Sequence, residues 1–309
     1  MLTDAQKSAR EGSLGSSDAP VVCDVSPYKS PQVLFYQLHG ELERYSEDET
    51  EAQEFSFLME PVLAQIFTKR TGLKVRRSPP RRHSQYPFMT ANLDYEIVGD
   101  ARGPGVLELK MRDRSQLPLW EHGIPDDIHL QVAHQLAVTN REWARVTVGF
   151  GNQCVRIYEV ERDKELEAYL IEIERRFMVL VEKGEPPGAD WSRDGLDVLK
   201  KLYPQDSGKT ITLDDPQAVA MIEQYLGTKE ALTDTQQKHD AAKGWLQSAM
   251  QDASTALVPG YAITWKTTKP TNRFDEDAFH AAHPDLYRQF MRERPGYRRF
   301  LLKPAKEIV

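Results

Sequence analysis

The sequence has 309 residues, of which 40% are hydrophobic and 28% are charged, and its formal net charge is −7. These values are ordinary for a globular protein, and the acidic balance argues against a protein that coats nucleic acid while permitting an enzyme with a local basic track. No stretch approaches the roughly 20 apolar residues that cross a bilayer, and the N-terminus lacks the apolar segment of a secretory signal. Because only Cys23 and Cys154 are present, we expect a protein of the reducing cytoplasm without a disulfide framework.

Helical and strand periodicities alternate along the first part of the chain. Segments with apolar residues at 3–4 spacing are predicted as helices, and short alternating segments are predicted as strands. In chain order we predict a helix at 31–44, a helix at 52–70, a basic proline-rich loop at 74–87, strands at 93–98 and 106–110, a helix at 126–139, strands at 146–150 and 154–160, and a helix at 164–182.

The segment GEPPGAD (184–190) has the proline and glycine content of a domain boundary. We therefore predict a core at 1–185 and a C-terminal extension at 186–309. The elements predicted in the extension are a long helix or helical hairpin at 216–253, a short strand at 261–267, and an arginine- and aromatic-rich tail at 286–306. For the tail, packing and DNA binding both remain open.

Two carboxylates and a lysine give the strongest chemical signal. Asp94 is followed, after thirteen residues, by Glu108, Leu109 and Lys110. Alternation along the second strand puts Glu108 and Lys110 on one face and turns Leu109 into the core, and a hairpin brings Asp94 alongside them. Adjacent carboxylates favour a hard cation such as Mg²⁺, and a lysine beside them orients water or neutralises charge on a phosphate. A surface hairpin without function is the alternative for this pattern alone.

Three other groups of polar residues add to this signal. Glu60 lies in an apolar helical segment, where an unpaired carboxylate is costly unless it sits on the polar edge of the helix. Gln131, near the start of the helix at 126–139, is placed to bond a water or a phosphate, although a glutamine there is usually only solvated. The basic loop contributes candidate DNA-backbone contacts, with a solvated loop as the alternative; its arginines are Arg76, Arg77, Arg81 and Arg82.

Taken together, these segments resemble the lambda-exonuclease-type, YqaJ-like viral recombinase family of the PD-(D/E)xK nuclease superfamily. The matching series is collinear over about residues 10–180 and reads GSLGSSD, VSPYKSP, MEPVLAQIFTKRTG, ANLDYEIVG, GVLELK and WEHGIPDDIHLQVAHQLAVT. The resemblance implies an α/β protein with a restriction-endonuclease-like core, in which a central mixed β-sheet is flanked by helices. The remaining chain would form a mainly helical C-terminal extension.

The resemblance also implies roles for individual residues. The family's catalytic positions fall on Glu60, Asp94, Glu108, Lys110 and Gln131. Of these, Asp94 and Glu108, together with the backbone carbonyl of Leu109, would hold Mg²⁺, which Mn²⁺ is expected to replace.

A second implied site holds the terminal 5′-phosphate of DNA. Ser17 aligns with the family's phosphate-holding serine, and Arg10, seven residues earlier, aligns with the arginine that pairs with it. An arginine with hydroxyl and backbone donors is a good phosphate cradle. The sequence departs from its relatives at Asn92, which stands where some carry a phosphate-binding serine, and at Ser84, where another acid is expected. A second metal ligand at Ser84 is therefore in doubt.

The function implied is a Mg²⁺-dependent exonuclease that resects double-stranded DNA ends in the 5′-to-3′ direction, leaving 3′ overhangs and releasing 5′-mononucleotides. The resemblance further implies a ring-shaped homotrimer that passes its product to a single-strand annealing protein. We expect the chain to be encoded by a phage or prophage in a bacterial host and to have no membrane association. Two alternatives stay open. One is a PD-(D/E)xK endonuclease or single-strand nuclease in DNA repair, and the other is a non-catalytic recombination scaffold that binds DNA ends.

Overall fold

The computed structural model describes residues 12–44, 50–188, 193–293 and 296–303. The chain divides into two compact units, Met1–Pro204 and Gln205–Val309. In the described part of the chain, no helix is long and apolar enough to cross a membrane.

Eight strands, six α-helices and two 3-10 helices (Ser16–Asp18 and Arg114–Trp120) make up the described part of the first unit. The strands are β1 (Leu14–Gly15), β2 (Lys74–Arg76), β3 (Arg81–Arg82), β4 (Met89–Ala91), β5 (Tyr95–Val98), β6 (Gly105–Arg112), β7 (Trp143–Phe150) and β8 (Cys154–Glu161). The α-helices are α1 (Ala19–Val22), α2 (Pro31–His39), α3 (Glu51–Thr71), α4 (Asp126–Thr139), α5 (Lys164–Lys183) and α6 (Arg193–Leu202).

A five-stranded mixed sheet in the order β2-β5-β6-β7-β8 forms the centre of the unit. The central strands β6 and β7 run parallel, and every other neighbouring pair is antiparallel. A parallel pair requires a crossover connection, which here contains α4. The predicted α/β architecture, with a central mixed sheet flanked by helices, is confirmed.

The two faces of β6 bury different side chains. Val106 packs in a hydrophobic cluster with Val132 and Leu136 of α4, whereas Leu107 and Leu109 pack in a second cluster that includes residues of α3. Because successive side chains of a strand point to opposite faces, Glu108 lies on the α4 side of the sheet. The core therefore fixes the direction in which this carboxylate points.

The long helix α3 has clear signals at both ends. Thr50 and Gln53 form a capping box, in which Thr50 Oγ1 accepts from Gln53 N at 3.3 Å and Gln53 Oε1 accepts from Thr50 N at 2.9 Å. The helix ends at Gly72, whose φ of 74° is the left-handed conformation that glycine tolerates best. Glu60 is held by this well-defined helix.

A smaller sheet joins the N-terminal segment to the strand that precedes Asp94. Its order is β1-β4-β3, and β1 runs parallel to β4, with Leu14 opposite Met89 and Gly15 opposite Thr90. The Thr90 hydroxyl donates to the Leu14 carbonyl at 3.0 Å, which adds a side-chain bond to this pairing.

Several predicted boundaries were wrong. The helix expected to reach residue 44 ends at His39, because Gly40 adopts a left-handed φ of 90° and stops it. The segment predicted as a loop at 74–87 contains β2 and β3, whose backbone groups pair with β5 and β4 although their side chains are mostly charged. The helix α6 was not predicted.

The second unit contains the long helix α7 (Pro216–Met250), the hairpin strands β9 (Thr255–Val258) and β10 (Tyr261–Thr264), and the short helices α8 (Glu276–Ala282) and α9 (Pro284–Phe290). Pro259 and Gly260 connect the two strands, and Gly260 has a φ of 81°, a combination that suits a tight turn. The sequence predicted the long helix and β10, but not β9.

The division into units falls later in the chain than the joint at 184–190 that the composition suggested. The helix α6 belongs to the first unit, where Asp194 Oδ2 accepts from Ser30 N at 2.8 Å. Val198 of the same helix is buried. The functional boundary between residues 185 and 186 stays a prediction.

Candidate functional site

Strand pairing brings the two predicted carboxylates together. Tyr95 lies opposite Leu107 in the antiparallel pair of β5 and β6, so Asp94, one residue before, comes opposite Glu108. Asp94 Oδ2 also accepts a hydrogen bond from Leu109 N at 2.7 Å. The hairpin therefore places both carboxylates and the Leu109 backbone at one end of the strand pair.

The carboxylate of Glu108 is buried and held at both oxygens. Its Oε1 accepts from Gln131 Nε2 at 2.7 Å and lies 2.6 Å from Lys110 Nζ. Its Oε2 accepts from Gln135 Nε2 at 2.7 Å. A carboxylate only accepts, so both glutamines must turn their NH₂ groups towards it. Glu108 is thereby fixed in one orientation.

Lys110 and Gln131 complete this network. Lys110 Nζ donates to Gln131 Oε1 at 2.9 Å, so the Gln131 side chain bridges the ammonium and the Glu108 carboxylate. An ammonium has three N–H donors, and two of them are directed at these partners. Within the described residues, the third donor remains for an incoming phosphate oxygen or water.

Two carboxyl groups of the cavity, those of Asp94 and Glu60, have raised pKa values. Burial raises the pKa of Asp94 well above its usual range, and the nearby Glu108 and Glu60 carboxylates raise it further, against the opposing effects of Lys110 and the Leu109 N–H. Burial also raises the pKa of Glu60, an effect that the Arg77 guanidinium opposes. Concentrated negative charge of this kind is relieved by a cation.

Glu60 reaches the site from α3. Its Oε2 accepts from Arg77 at 3.3 Å, and the Arg77 guanidinium lies 4.4 Å from the centre of the Tyr95 ring. Arg77 also donates to the backbone carbonyl of Asp94 at 3.5 Å. This arginine thus connects α3 to the start of β5.

The predicted catalytic residues line one open cavity of about 580 Å³. They are Glu60, Asp94, Glu108, Lys110 and Gln131, and Leu109 lines it with them. Among the described residues, no group of three His, Cys, Asp or Glu side chains is arranged to hold a metal ion. A cation here would therefore rely on two carboxylates and a backbone carbonyl, a set of oxygen donors that fits Mg²⁺.

The predicted phosphate-binding residues lie at one edge of the small sheet. Ser17 is two residues beyond Gly15, and Asn92 is two residues beyond Thr90, the partner of Gly15 in the parallel pair. The side chain of Ser17 is exposed. The buried Nδ2 of Asn92 has no hydrogen-bond partner in the described part of the chain. Arg10 lies outside the described residues.

The predicted DNA-backbone arginines have different surroundings. Arg76 forms an ion pair with the buried Glu96 while its own side chain stays largely exposed. Arg77 pairs with Glu60, which lines the cavity. Arg81 donates to a serine hydroxyl of its own loop at 3.5 Å, and Arg82 donates to a backbone carbonyl there. Contact with DNA remains a prediction for all four.

Sequence reasoning missed two buried residues of α4. Gln135 lies four residues after Gln131 and therefore on the same helix face, a spacing that would have identified it. His134 is fully buried, with Nδ1 2.7 Å from Glu174 Oε1 and Nε2 2.9 Å from the Thr90 carbonyl. Burial alone would lower the pKa of His134, but Glu174 and Thr90 raise it above its ordinary value. No local pattern reveals this pair, since forty residues separate its members.

Comparison with known proteins agrees with this architecture. The model of the YqaJ-like viral recombinase domain matches residues 7–142. The uncharacterized protein YqaJ of Bacillus subtilis (strain 168) is 32% identical over 302 residues, covering 95% of this chain and 92% of that protein. The chain belongs to the YqaJ-like viral recombinase family. The predicted family membership is therefore confirmed.

Solved structures also resemble this YqaJ-like chain. The alkaline exonuclease LHK-Exo from Laribacter hongkongensis has a TM-score of 0.50 and 20% identity, covering 58% of this chain and 92% of that one. LHK-Exo in complex with dAMP has a TM-score of 0.52 and 21% identity, covering 59% and 94%. At this identity the likeness establishes the shared restriction-endonuclease-like fold. The chain thus combines a viral recombinase family with the fold of an alkaline exonuclease.

Proposed function

We propose that this YqaJ-like protein is a Mg²⁺-dependent exonuclease that resects double-stranded DNA from 5′ ends, leaving 3′ overhangs and releasing 5′-mononucleotides. The observation that carries the proposal is the convergence of Asp94, Glu108 and Lys110 in one open cavity. A non-catalytic scaffold has no need for a buried Glu108 carboxylate beside a half-buried Asp94 carboxylate in one cavity. A solved neighbour of the same fold is an alkaline exonuclease, and it has been studied with the mononucleotide dAMP.

Asp94, Glu108 and the Leu109 carbonyl would hold the cation. When bound there, it would supply Lewis-acid activation of the phosphodiester and of water. Mn²⁺ offers a similar charge and the same preference for oxygen ligands, so we expect it to substitute.

The surrounding residues would position the reactants. Lys110 lines the cavity and keeps one donor beyond its two contacts with Gln131 and Glu108, which suits an attacking water or a phosphate oxygen that gains negative charge. Gln131 fixes Lys110 relative to Glu108 through its two hydrogen bonds. Glu60 extends the polar wall towards α3. Its ion-pair partner Arg77 is suited to contact a backbone phosphate, together with Arg76, Arg81 and Arg82.

We propose that Ser17, Asn92 and Arg10 bind the terminal 5′-phosphate of the DNA. The unpartnered Asn92 amide supports this, because a buried donor without a partner costs free energy that a phosphate oxygen would recover. We expect Asn92→Ala to slow digestion of 5′-phosphorylated duplex more than that of 5′-hydroxyl duplex. Equal losses on the two substrates would assign Asn92 a packing role instead.

The family further supports a ring-shaped homotrimer that delivers single strands to an annealing protein, in the cytoplasm of a bacterium carrying the phage or prophage. Both cysteines are free thiols, in keeping with a reducing compartment. Sedimentation of the full chain, with and without DNA, measures the assembly.

A strand-labelled nuclease assay tests the activity. Linear duplex labelled at the 5′ or 3′ end, a labelled single strand and closed circular plasmid would be incubated with Mg²⁺, with Mn²⁺ and with EDTA. We expect mononucleotides from the 5′ end only, no cut in the circle, and no reaction in EDTA. A nicked circle would indicate an endonuclease, and digestion restricted to single strands would indicate a single-strand nuclease.

Variants connect this activity to the cavity. Asp94→Asn, Glu108→Gln and Lys110→Gln are each expected to lower the rate by roughly 10³-fold or more while the protein stays folded. Asp100→Asn is the matched control, because Asp100 lies in the loop of the same hairpin and pairs with Arg102. Near-native activity in any of the three cavity variants would refute the site assignment.

A further inference from the structure

The hairpin of the second unit presents aromatic side chains to solvent. Tyr261 lies opposite Val258, and Trp265 N donates to the Ser254 carbonyl at 3.1 Å, which extends the pairing beyond the strand. Because side chains alternate along a strand, Tyr261, Ile263 and Trp265 share one face. Tyr261 is 76% exposed and Trp265 is 47% exposed. Two large aromatic rings thus stand on one face without being buried.

Within this hairpin and the segment that follows it, all the charged side chains are basic, although Asp252 precedes this stretch and Asp275, Glu276 and Asp277 follow it. Residues 253–274 contain no Asp or Glu, although the whole sequence has a net charge of −7. They do contain Lys266, Lys269 and Arg273, all of which are exposed. In the described part of the chain none of these three takes part in an ion pair. Elsewhere in the unit the charges are mixed, and Lys238 of α7 pairs with Asp234 at 2.7 Å.

We propose that this hairpin face, defined by Tyr261, Ile263 and Trp265 with the following cations Lys266, Lys269 and Arg273, binds single-stranded DNA. Exposed aromatic rings stack on unpaired bases of any sequence, and basic side chains attract the phosphates. In a duplex the bases are already stacked on one another, so the rings have little to gain there. The two rings are separated by roughly 13 Å of strand, which leaves room for bases of neighbouring nucleotides.

This inference goes beyond the nuclease activity and does not depend on it. Single strands are also what the proposed resection leaves behind, so the second unit would hold the product that the first unit makes. Binding to single-stranded DNA is measured without cleavage. The binding result can therefore be interpreted even if the protein shows no nuclease activity.

Fluorescence anisotropy of the full chain with a labelled 5′-hydroxyl oligothymidylate in EDTA provides the first test. Tyr261→Ala and Trp265→Ala are each expected to weaken binding by on the order of tenfold, while Trp265→Phe, which keeps a stacking ring, should retain most of it. Trp245→Ala is the matched control, because Trp245 is 71% exposed on α7 of the same unit. It should bind like the unchanged protein.

The salt dependence of binding provides the second test. Combined Lys266→Ala, Lys269→Ala and Arg273→Ala should reduce the slope of log affinity against log salt by about 2, since each neutralised phosphate contributes about 0.7 on single strands. A control combining Lys229→Ala, Lys238→Ala and Lys243→Ala removes the same charge from α7 and should leave the slope nearly unchanged. These exposed substitutions keep the test valid even if the aromatic variants fold poorly.

Four results would overturn the proposal. The first two are an unchanged single-strand affinity in the Tyr261 and Trp265 variants, and a loss of affinity in the Trp245 control as large as in those variants. The third is a change of the salt slope in the α7 lysine control as large as in the Lys266, Lys269 and Arg273 variant. The fourth is a loss of duplex binding in the aromatic variants as large as their loss of single-strand binding. If the aromatic variants altered sedimentation but not DNA affinity, the face would be an interface between protein copies.

Discussion

Glu108 is the residue on which the geometry of the cavity depends most, because both of its carboxylate oxygens are held by donors from neighbouring elements. A ligand fixed in this way loses little freedom when it binds a cation or orients a water. Gln135 supplies one of these bonds from a fully buried position, and we interpret it as a positioning residue that acts through Glu108.

We predict that Gln135→Met, which keeps the length of the side chain but removes the donor, raises the Mg²⁺ concentration for half-maximal cleavage by about 10- to 100-fold. Calorimetric titration of the free protein with Mg²⁺ should show the same loss of affinity. Gln32→Met makes the same substitution at another buried glutamine, outside the cavity, and should leave the Mg²⁺ requirement unchanged. If both variants shifted it equally, the effect would be one of general stability.

His134 is the second buried residue of α4 with a definite electrostatic role. Its two ring nitrogens face the Glu174 carboxylate and the Thr90 carbonyl, which are both acceptors, so these surroundings favour the charged imidazolium. The pKa of His134 is raised above its ordinary value in the folded protein, against the effect of burial and with Asp18 adding to the attraction. His83 has a lowered pKa, mainly because of its partial burial, and the charge of His134 lowers it further.

The raised pKa predicts the sign of a pH effect on stability. The stabilisation from charged His134 is complete below its unfolded pKa of about 6.5 and is lost as the pH rises through the higher folded value. We expect the free energy of unfolding to fall over this window by at most about 1.4 kcal/mol per pH unit from this group. In Glu174→Gln this part of the slope should disappear. An identical pH profile for the variant and the unchanged protein would contradict the assignment.

At the scale of elements, Gly105, the first residue of β6, lies close against the ring of Trp143, the first residue of the neighbouring strand β7. A Cβ atom added to Gly105 would lie 2.7 Å from the ring of Trp143, a side chain that is itself buried. On the exposed side, the Arg102 guanidinium lies 4.0 Å from the centre of that ring. The ring therefore has little room to move.

We expect Gly105→Ala to destabilise the protein by about 1–3 kcal/mol through this overpacking, measured by urea unfolding. Gly244→Ala is the control, because Gly244 lies in helix α7 with open space around it. That change should stabilise the helix by about 0.5–1 kcal/mol. Equal stability of Gly105→Ala and the unchanged protein would show that Trp143 adjusts freely.

Elements with a strong period could be predicted from the sequence, and elements formed by backbone pairing alone could not. The alternation in β6 predicted that Glu108 and Lys110 share a face, and it did so without knowledge of the sheet. In contrast, β2 and β9 were missed, because an edge strand needs only backbone partners and its side chains carry little pattern. The spacing of Gln131 and Gln135 on one helix face could have identified Gln135 from the sequence. The contact between His134 and Glu174 joins segments forty residues apart, so it becomes visible only when the fold is known.

At the scale of the whole molecule, the division into two units predicts how two truncated chains would fold and cut DNA. A chain ending at Pro204 retains every residue of the cavity and helix α6, so we expect it to fold and to cut short duplexes at a near-native rate. A chain ending at Lys183 loses Asp194 and the buried Val198, and should unfold at a lower temperature. Thermal unfolding and the nuclease assay measure both outcomes.

A soluble Pro204 truncation without activity on short duplexes would show that the second unit completes the site. If activity on short duplexes persisted but single-strand binding was lost, the second unit would be a binding element. If the two truncated chains unfolded at the same temperature, α6 would add nothing to the stability of the core. The boundary would then lie near residue 185, as predicted from the sequence.

The order of the two units along the chain has a consequence for synthesis in the cell. All cavity residues, and the buried pair of His134 and Glu174, precede the second unit, which contributes the last 105 residues (205–309). At about 5–20 residues per second, translating that unit takes on the order of 5–20 s, while domains fold as they emerge. Each nascent chain would therefore carry a completed cavity on the ribosome before its single-strand-binding face exists.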